Sequence, residues 1–146
     1  MNCKERNFEL ITSISAFTDA EVSFSVPMNE HRKHLSKSEL QFSGNGLSIP
    51  MEPKSASVKE ASKEELPGTS YTVTVKWEVK ELDEAAYAAL ERLRNGFFHL
   101  IINTFGDNSI LVHSNEDGYL FTYEENGGTL ECELSILNIN GVQRIL

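Results

Sequence analysis

A chain of 146 residues with 40% apolar content is sized for one globular domain that buries about two-thirds of its unfolded surface. Its formal charge of −9 is unevenly placed. Residues 1–80 carry ten Lys/Arg against eleven Asp/Glu, whereas residues 81–146 carry only Arg92, Arg94 and Arg144 against eleven acids. That balance excludes the second half as a specific nucleic-acid binder, because phosphate contact needs clustered cations, and no run reaches the roughly 18 apolar residues of a membrane span.

The start, "MNCKERNFEL", has charges but no apolar stretch behind them, so no secretory leader is expected. "NFELITSI" and "AEVSFSVP" read as strands. In the second, Val22, Phe24 and Val26 alternate with Ser23 and Ser25, and Pro27 ends the run. "NEHRKHLSKSE" has no apolar period and reads as a loop. "LQFSGNGLSIP" reads as a strand broken at Gly44-Asn45-Gly46. Residues 50–70 hold three of the four prolines amid Ser, Lys and Glu. A stretch this polar predicts a long loop or an extended arm, with "SASVKEAS" as an alternative hairpin partner for the next strand. As an arm, its deletion over residues 53–67 is expected to spare the fold and damage assembly.

From Tyr71 the pattern sharpens. Tyr71, Val73, Val75, Trp77 and Val79 face one way, with Thr72, Thr74, Lys76, Glu78 and Lys80 on the other side, which is a strand with one buried face. Asp83 stands at an N-cap position, and Ala86, Tyr87, Leu90 and Leu93 form a helical stripe. The helix, about residues 83–95, is predicted to end at Asn95-Gly96 in a left-handed glycine. "FFHLIINT" is apolar on nearly both faces and reads as a central strand. Turns at "FGDNS", "NEDG" and "ENGG" separate "ILVHS", "YLFTYEE" and "TLECELSIL". In the last of these, Leu130, Cys132, Leu134 and Ile136 oppose Glu131, Glu133 and Ser135. Asn140-Gly141 predicts a hairpin into "VQRIL". The expected fold is mainly β (α+β): one domain over residues 1–146, an antiparallel sandwich or barrel with a single short helix on the sheet.

Chemistry-bearing patterns are sparse. Cys3 and Cys132 are far apart in sequence and form neither a zinc motif nor a disulfide framework; unpaired thiols in a reducing compartment are the simpler expectation. His113, Asn115, Asp117, Gly118 and Glu124 match the spacing of a calcium loop. However, the first position is a nitrogen donor, and "YLFTY" alternates as a strand where a helix should leave the loop. His31 and His34 are three apart, but Arg32 and Lys33 would repel a cation. His99 lies in an apolar strand, where a hydrogen-bonded structural role is the default. No serine sits in a nucleophile elbow, and neither "GNG" nor "NGG" opens a helix after a strand. Glu124-Glu125 and Glu131/Glu133 read as exposed hairpin acids, although a glycosidase needs only two such carboxylates. No catalytic, cofactor-binding or metal-ligating residue is assigned, and no cofactor is expected.

From Tyr71 onward the order is strand, "LDEAAYAALERL" helix, "GFFHLIINT" strand, then short strands and a closing "INGVQRIL". This order resembles small structural proteins of tailed bacteriophages of the tail-tube and neck type. The resemblance implies a β-sandwich or barrel flanked by a helix that forms homo-oligomeric rings with other virion proteins as partners. It also implies a non-enzymatic role as tail tube, tail completion or connector subunit, and assembly in the host bacterial cytoplasm into the virion. An acidic C-terminal half suits such a conduit, because a cationic wall would trap passing DNA. The alternatives are a monomeric β-rich module binding a carbohydrate or protein and, behind it, a small enzyme with a loop-built site.

Overall fold

The computed structural model describes residues 3–8, 10–27, 32–65, 68–106 and 108–146, apart from the side chains of residues 3, 4, 65, 68 and 69. The first strands are β1 (Cys3–Phe8), β2 (Ile11–Phe17), β3 (Val22–Phe24), β4 (His34–Leu35), β5 (Leu40–Phe42) and β6 (Leu47–Ser48). After them come β7 (Ser57–Glu65), β8 (Gly68–Val79), helix α1 (Glu84–Arg94), β9 (His99–Thr104) and β10 (Asn108–Val112). The chain closes with β11 (Tyr119–Asn126), β12 (Thr129–Asn138) and β13 (Val142–Ile145). The protein is therefore mainly β with one α-helix among the described residues.

Strands β1, β7, β8, β12 and β11 form one antiparallel sheet in that order. A second sheet runs β4, β13, β10, β9, β2, β6, in which only the two-residue β4–β13 pairing is parallel. The inner faces pack together through Ile14, Val75, Trp77, Leu100, Ile102, Ile110, Leu134 and Ile136, all buried. A two-stranded ribbon of β3 and β5 covers the outer face of the second sheet, with Leu35, Leu40 and Leu111 enclosed beneath it.

The period-2 alternation of β8 and β12 holds residue by residue, because each presents alternate side chains to the core and to solvent. The helix starts where expected, with Asp83 Oδ1 accepting from the Ala86 amide at 2.8 Å. Its buried stripe is Ala86, Ala89, Leu90 and Leu93. Tyr87, placed on that stripe by spacing, is instead 38% exposed and reaches Glu125 on β11 through its hydroxyl. Nor does Gly96 adopt a left-handed conformation. The cap is Asn95, at φ −97°, whose amide returns to Glu91 O.

Four further expectations need correction. "NFELITSI" is two strands in different sheets, with Leu10 at φ +60° turning the chain between them. "NEHRKHLSKSE", outside residues 28–31, contains strand β4 and a 3-10 turn, because Leu35 is an anchor with no exposed surface. His31 lies outside the described residues. Residues 57–65, assigned to a loop or arm, form β7, the second strand of the first sheet; only the hairpin alternative held. The polar composition misled because β7 buries just Val58 and Glu60 and turns its other described side chains toward solvent or partial exposure.

Finally, Asn140-Gly141 makes no hairpin. β12 already has β8 on one side and β11 on the other, so β13 cannot pair with it and crosses to the second sheet. Asn138 Oδ1 accepts from the amides of Asn140 and Gly141 and turns the corner. Gly141 sits at φ +62° against the Glu60 carboxylate, where a Cβ would collide.

Glu60 ties this corner together. It is 6% exposed, and it accepts from Val142 N at 2.5 Å and from Lys33 Nζ at 2.8 Å, while Arg6 lies at 3.4 Å. The Lys33 ammonium also caps Asn140 O at 2.7 Å and lies 4.2 Å from the Tyr71 ring. Burial lowers the Lys33 pKa, and the Glu60 hydrogen bond and charge oppose the shift. A buried acid without these donors would be strongly unfavourable. The cluster is therefore structural, joining β1 and β7 of one sheet to β13 of the other.

Candidate functional site: a charge-divided sheet face and a stacked histidine pair

The outer face of the first sheet is built by the alternate residues that β7, β8, β12 and β11 turn away from the core. Register places Glu78 beside Glu131 and Glu131 beside Glu124, three carboxylates in one row across three strands. The next row pairs Lys76 with Glu133, 3.5 Å apart, and continues to Thr122. Toward the other edge lie Lys59, ion-paired to Glu5 at 3.1 Å, and Lys63. The face is thus acidic at the β12–β11 side and lysine-bearing at the β7 side. Like charges directly opposite one another are unfavourable, so the glutamate row is a feature that folding alone does not require.

Both edges of this sheet, β1 and β11, lack a further strand among the described residues. On the inner side of β11, α1 is fastened by tyrosines. Tyr119 Oη donates to Leu93 O at 2.9 Å and Tyr123 Oη to Glu91 Oε1 at 3.0 Å. Burial raises the Tyr119 pKa, keeping the phenol a donor. These bonds brace the edge strand from within and leave Leu120, Thr122, Glu124 and Asn126 facing outward and exposed.

On the outer face of the second sheet, two histidines stack. β9 and β10 pair Leu100 with Val112, so His99 and His113 stand opposite each other one step further along. Their rings are 4.7 Å apart at 22°, and Phe24 meets both edge-on. His99 Nδ1 accepts from the Ser114 amide at 3.0 Å, which puts the neutral ring's proton on Nε2, 2.5 Å from Asp19 Oδ1.

Asp19, His99 and Ser114 therefore neighbour one another without forming a nucleophilic triad. The Ser114 hydroxyl donates to Phe98 O, and the His99 nitrogen facing Ser114 receives a backbone proton instead. The structural role expected for His99 is what the geometry supports.

His113 carries a pH signature. Burial, and then the His99 ring, push its pKa from 6.5 down to about 4, against a smaller opposing pull from Asp19. A depressed histidine pKa means that the unfolded chain takes up a proton before the folded one does. The associated stability is full above pH 6.5 and is lost as pH falls toward 4. Partial exposure screens the effect, so a loss of roughly 1–2 kcal/mol is expected across that window. Urea titrations at pH 7 and pH 4.5 would show it in the parent and not in His113→Phe; an equal loss in both removes His113 as the cause.

The other residues weighed from sequence scatter. Asn115 Oδ1 accepts from Gly118 N at 2.9 Å and caps a 3-10 turn, Asp117 lies within that turn, and Glu124 is on β11. Among the described residues no three His, Cys, Asp or Glu side chains converge as a metal would require. Cys132 is a free, buried thiol whose pKa burial raises to about 12. Cys3, on β1, is three strand spacings from β12, at least about 14 Å before the offset along the strands is added, beyond disulfide reach. No described helix is long and apolar enough to cross a membrane.

Sequence reasoning missed the histidine pairing and the glutamate row. Both were latent in strand register: the turn at Gly106 sets 99 against 113, and the turn at Gly127-Gly128 sets 124 against 131. No family model, no curated protein and no solved structure matches this chain.

Proposed function

We propose that this protein is a non-enzymatic structural subunit that assembles with copies of itself into a ring or tube. This is the role of the tailed-phage tail-tube and neck proteins that its C-terminal half resembles. Other virion proteins are its further partners, and the virion is its destination after assembly in the host bacterial cytoplasm. The observation that carries the reading is the five-stranded antiparallel sheet with two open edges.

An odd number of antiparallel strands leaves β1 and β11 running in the same direction. A repeated rotation would then join β11 of one copy to β1 of the next as a parallel pair, a head-to-tail contact that closes into a ring. The charge division favours that polarity, with glutamates at the β11 side and lysines near the β1 side. The strip of Glu78, Glu131 and Glu124, if turned to a lumen, would repel a passing nucleic acid.

Light scattering over a concentration series tests the proposal. The particle mass should rise with concentration, and Glu124→Lys with Glu131→Lys should suppress the rise. A species that stays monomeric at high concentration and after seeding overturns it.

One observation favours the second reading, a monomeric binding module. A largely apolar cleft of about 520 Å³ is lined by His113, Asn115, Asp117, Leu137 and Ile139. Such a cleft suits a small ligand or a peptide side chain.

A further inference from the structure

Four asparagine–glycine steps occur: Asn45–Gly46, Asn95–Gly96, Asn126–Gly127 and Asn140–Gly141. Glycine after asparagine lacks the Cβ that would obstruct the backbone nitrogen from approaching the asparagine side-chain carbonyl carbon. The four are chemically alike in sequence, and the structure separates them.

Asn140 is 1% exposed and its Oδ1 accepts from Arg32 N at 2.9 Å. The Gly141 nitrogen, the atom that would attack, already donates to Asn138 Oδ1. Asn45 is exposed, but Gly46 is wedged where a Cβ would come within 2.7 Å of Ala16 O and the Phe17 ring. Asn95 is exposed as the helix cap, but the Cβ position of Gly96 lies 3.7 Å from the Phe98 ring, a packing contact that Gly127 lacks. Asn126 combines exposure with an open successor. It is exposed at the end of β11, and Gly127, at φ +59°, has no atom within 4 Å of its Cβ position. Gly127 is the first central residue of the two-residue turn closed by the Asn126–Thr129 pair, so its amide takes no part in the strand ladder.

We propose that Asn126–Gly127 is a site of spontaneous deamidation and isomerisation, with water as the co-reactant. The Gly127 nitrogen gives its proton to solvent and bonds to Asn126 Cγ. The Cγ–Nδ2 bond breaks, and the side-chain nitrogen leaves as ammonia. Water then opens either carbonyl–nitrogen bond of the cyclic imide, giving aspartate or isoaspartate. One amide and one water become one carboxylate and one ammonium, with no change of oxidation state.

The product alters this face of the protein. Asn126 Nδ2 donates to Glu131 Oε2 at 2.9 Å. A carboxylate there donates nothing and stands against Glu131, adding an acid beside the row that Glu78, Glu131 and Glu124 already form. Isoaspartate also lengthens the backbone inside a turn that sets the β11–β12 register. The site is independent of the assembly reading.

The test is peptide-mapping mass spectrometry of the whole folded protein after incubation at mildly alkaline pH, with circular dichroism to confirm the fold. The expected result is an amide-to-acid mass gain and isomer splitting at residue 126, with one added negative charge on isoelectric focusing. The change should be abolished at that position in Asn126→Gln, which keeps an amide and the glycine, and Asn140 should convert only after denaturation. Conversion at Asn45 or Asn95 while Asn126 stays intact overturns the proposal, as does a folded-state rate at Asn140 equal to that at Asn126.

Discussion

Deleting residues 53–67 is expected to abolish folding. The segment contains β7, which bonds β8 on one side and β1 on the other. Its loss strands β1, removes Val58 from the core and takes Glu60 away from Lys33, Arg6 and the Val142 amide. Domains are normally stable by only roughly 5–15 kcal/mol, a margin that the loss of a whole interior strand is expected to exhaust. The deleted protein should show no cooperative thermal transition and no near-ultraviolet circular dichroism. A sharp melt near that of the parent would mean that β7 is dispensable.

Trp77→Ala should be the most damaging single substitution in the first sheet. Trp77 is 2% exposed and stacks on Phe121 with ring centroids 5.7 Å apart at 13°. Truncation opens a cavity between the sheets that the neighbouring β8 and β12 backbones cannot collapse into, at a cost of about 3–5 kcal/mol. One term works in the opposite direction. The indole Nε1 has no hydrogen-bond partner among the described residues, so its removal relieves a buried unsatisfied donor and draws the cost toward the lower value. Trp77→Phe should accordingly lose much less. Denaturant unfolding of both variants measures the two terms, and a parent-like midpoint for the alanine variant would place the side chain outside the core.

The strands from Tyr71 onward were legible because a half-buried antiparallel strand writes its two environments alternately into sequence, as β8 and β12 do. The helix start was legible from Asp83 alone. β7 was legible only as the alternative hairpin partner, because it buries a charged residue where an apolar one would have marked the face. Glu60 reads as a solvent residue until its partners from β1, the segment before β4, and β13 are known. The crossing at Asn138–Gly141 was hidden for another reason. A glycine turn looks the same whether the next strand returns to its neighbour or leaves for another sheet, and only the occupancy of both sides of β12 decides. The histidine stack and the glutamate row depend on register across turns, which local periodicity does not encode. Charge asymmetry was visible, but its division across one face was not.

Chain order adds one consequence. β1 belongs to the first sheet and β2 to the second; β7 and β8 return, β9 and β10 leave, β11 and β12 return, and β13 leaves again. No contiguous segment holds either sheet entire, so proteolysis cannot release an autonomous half, and opening one layer unravels the other. Interleaving of this kind makes melting a single event.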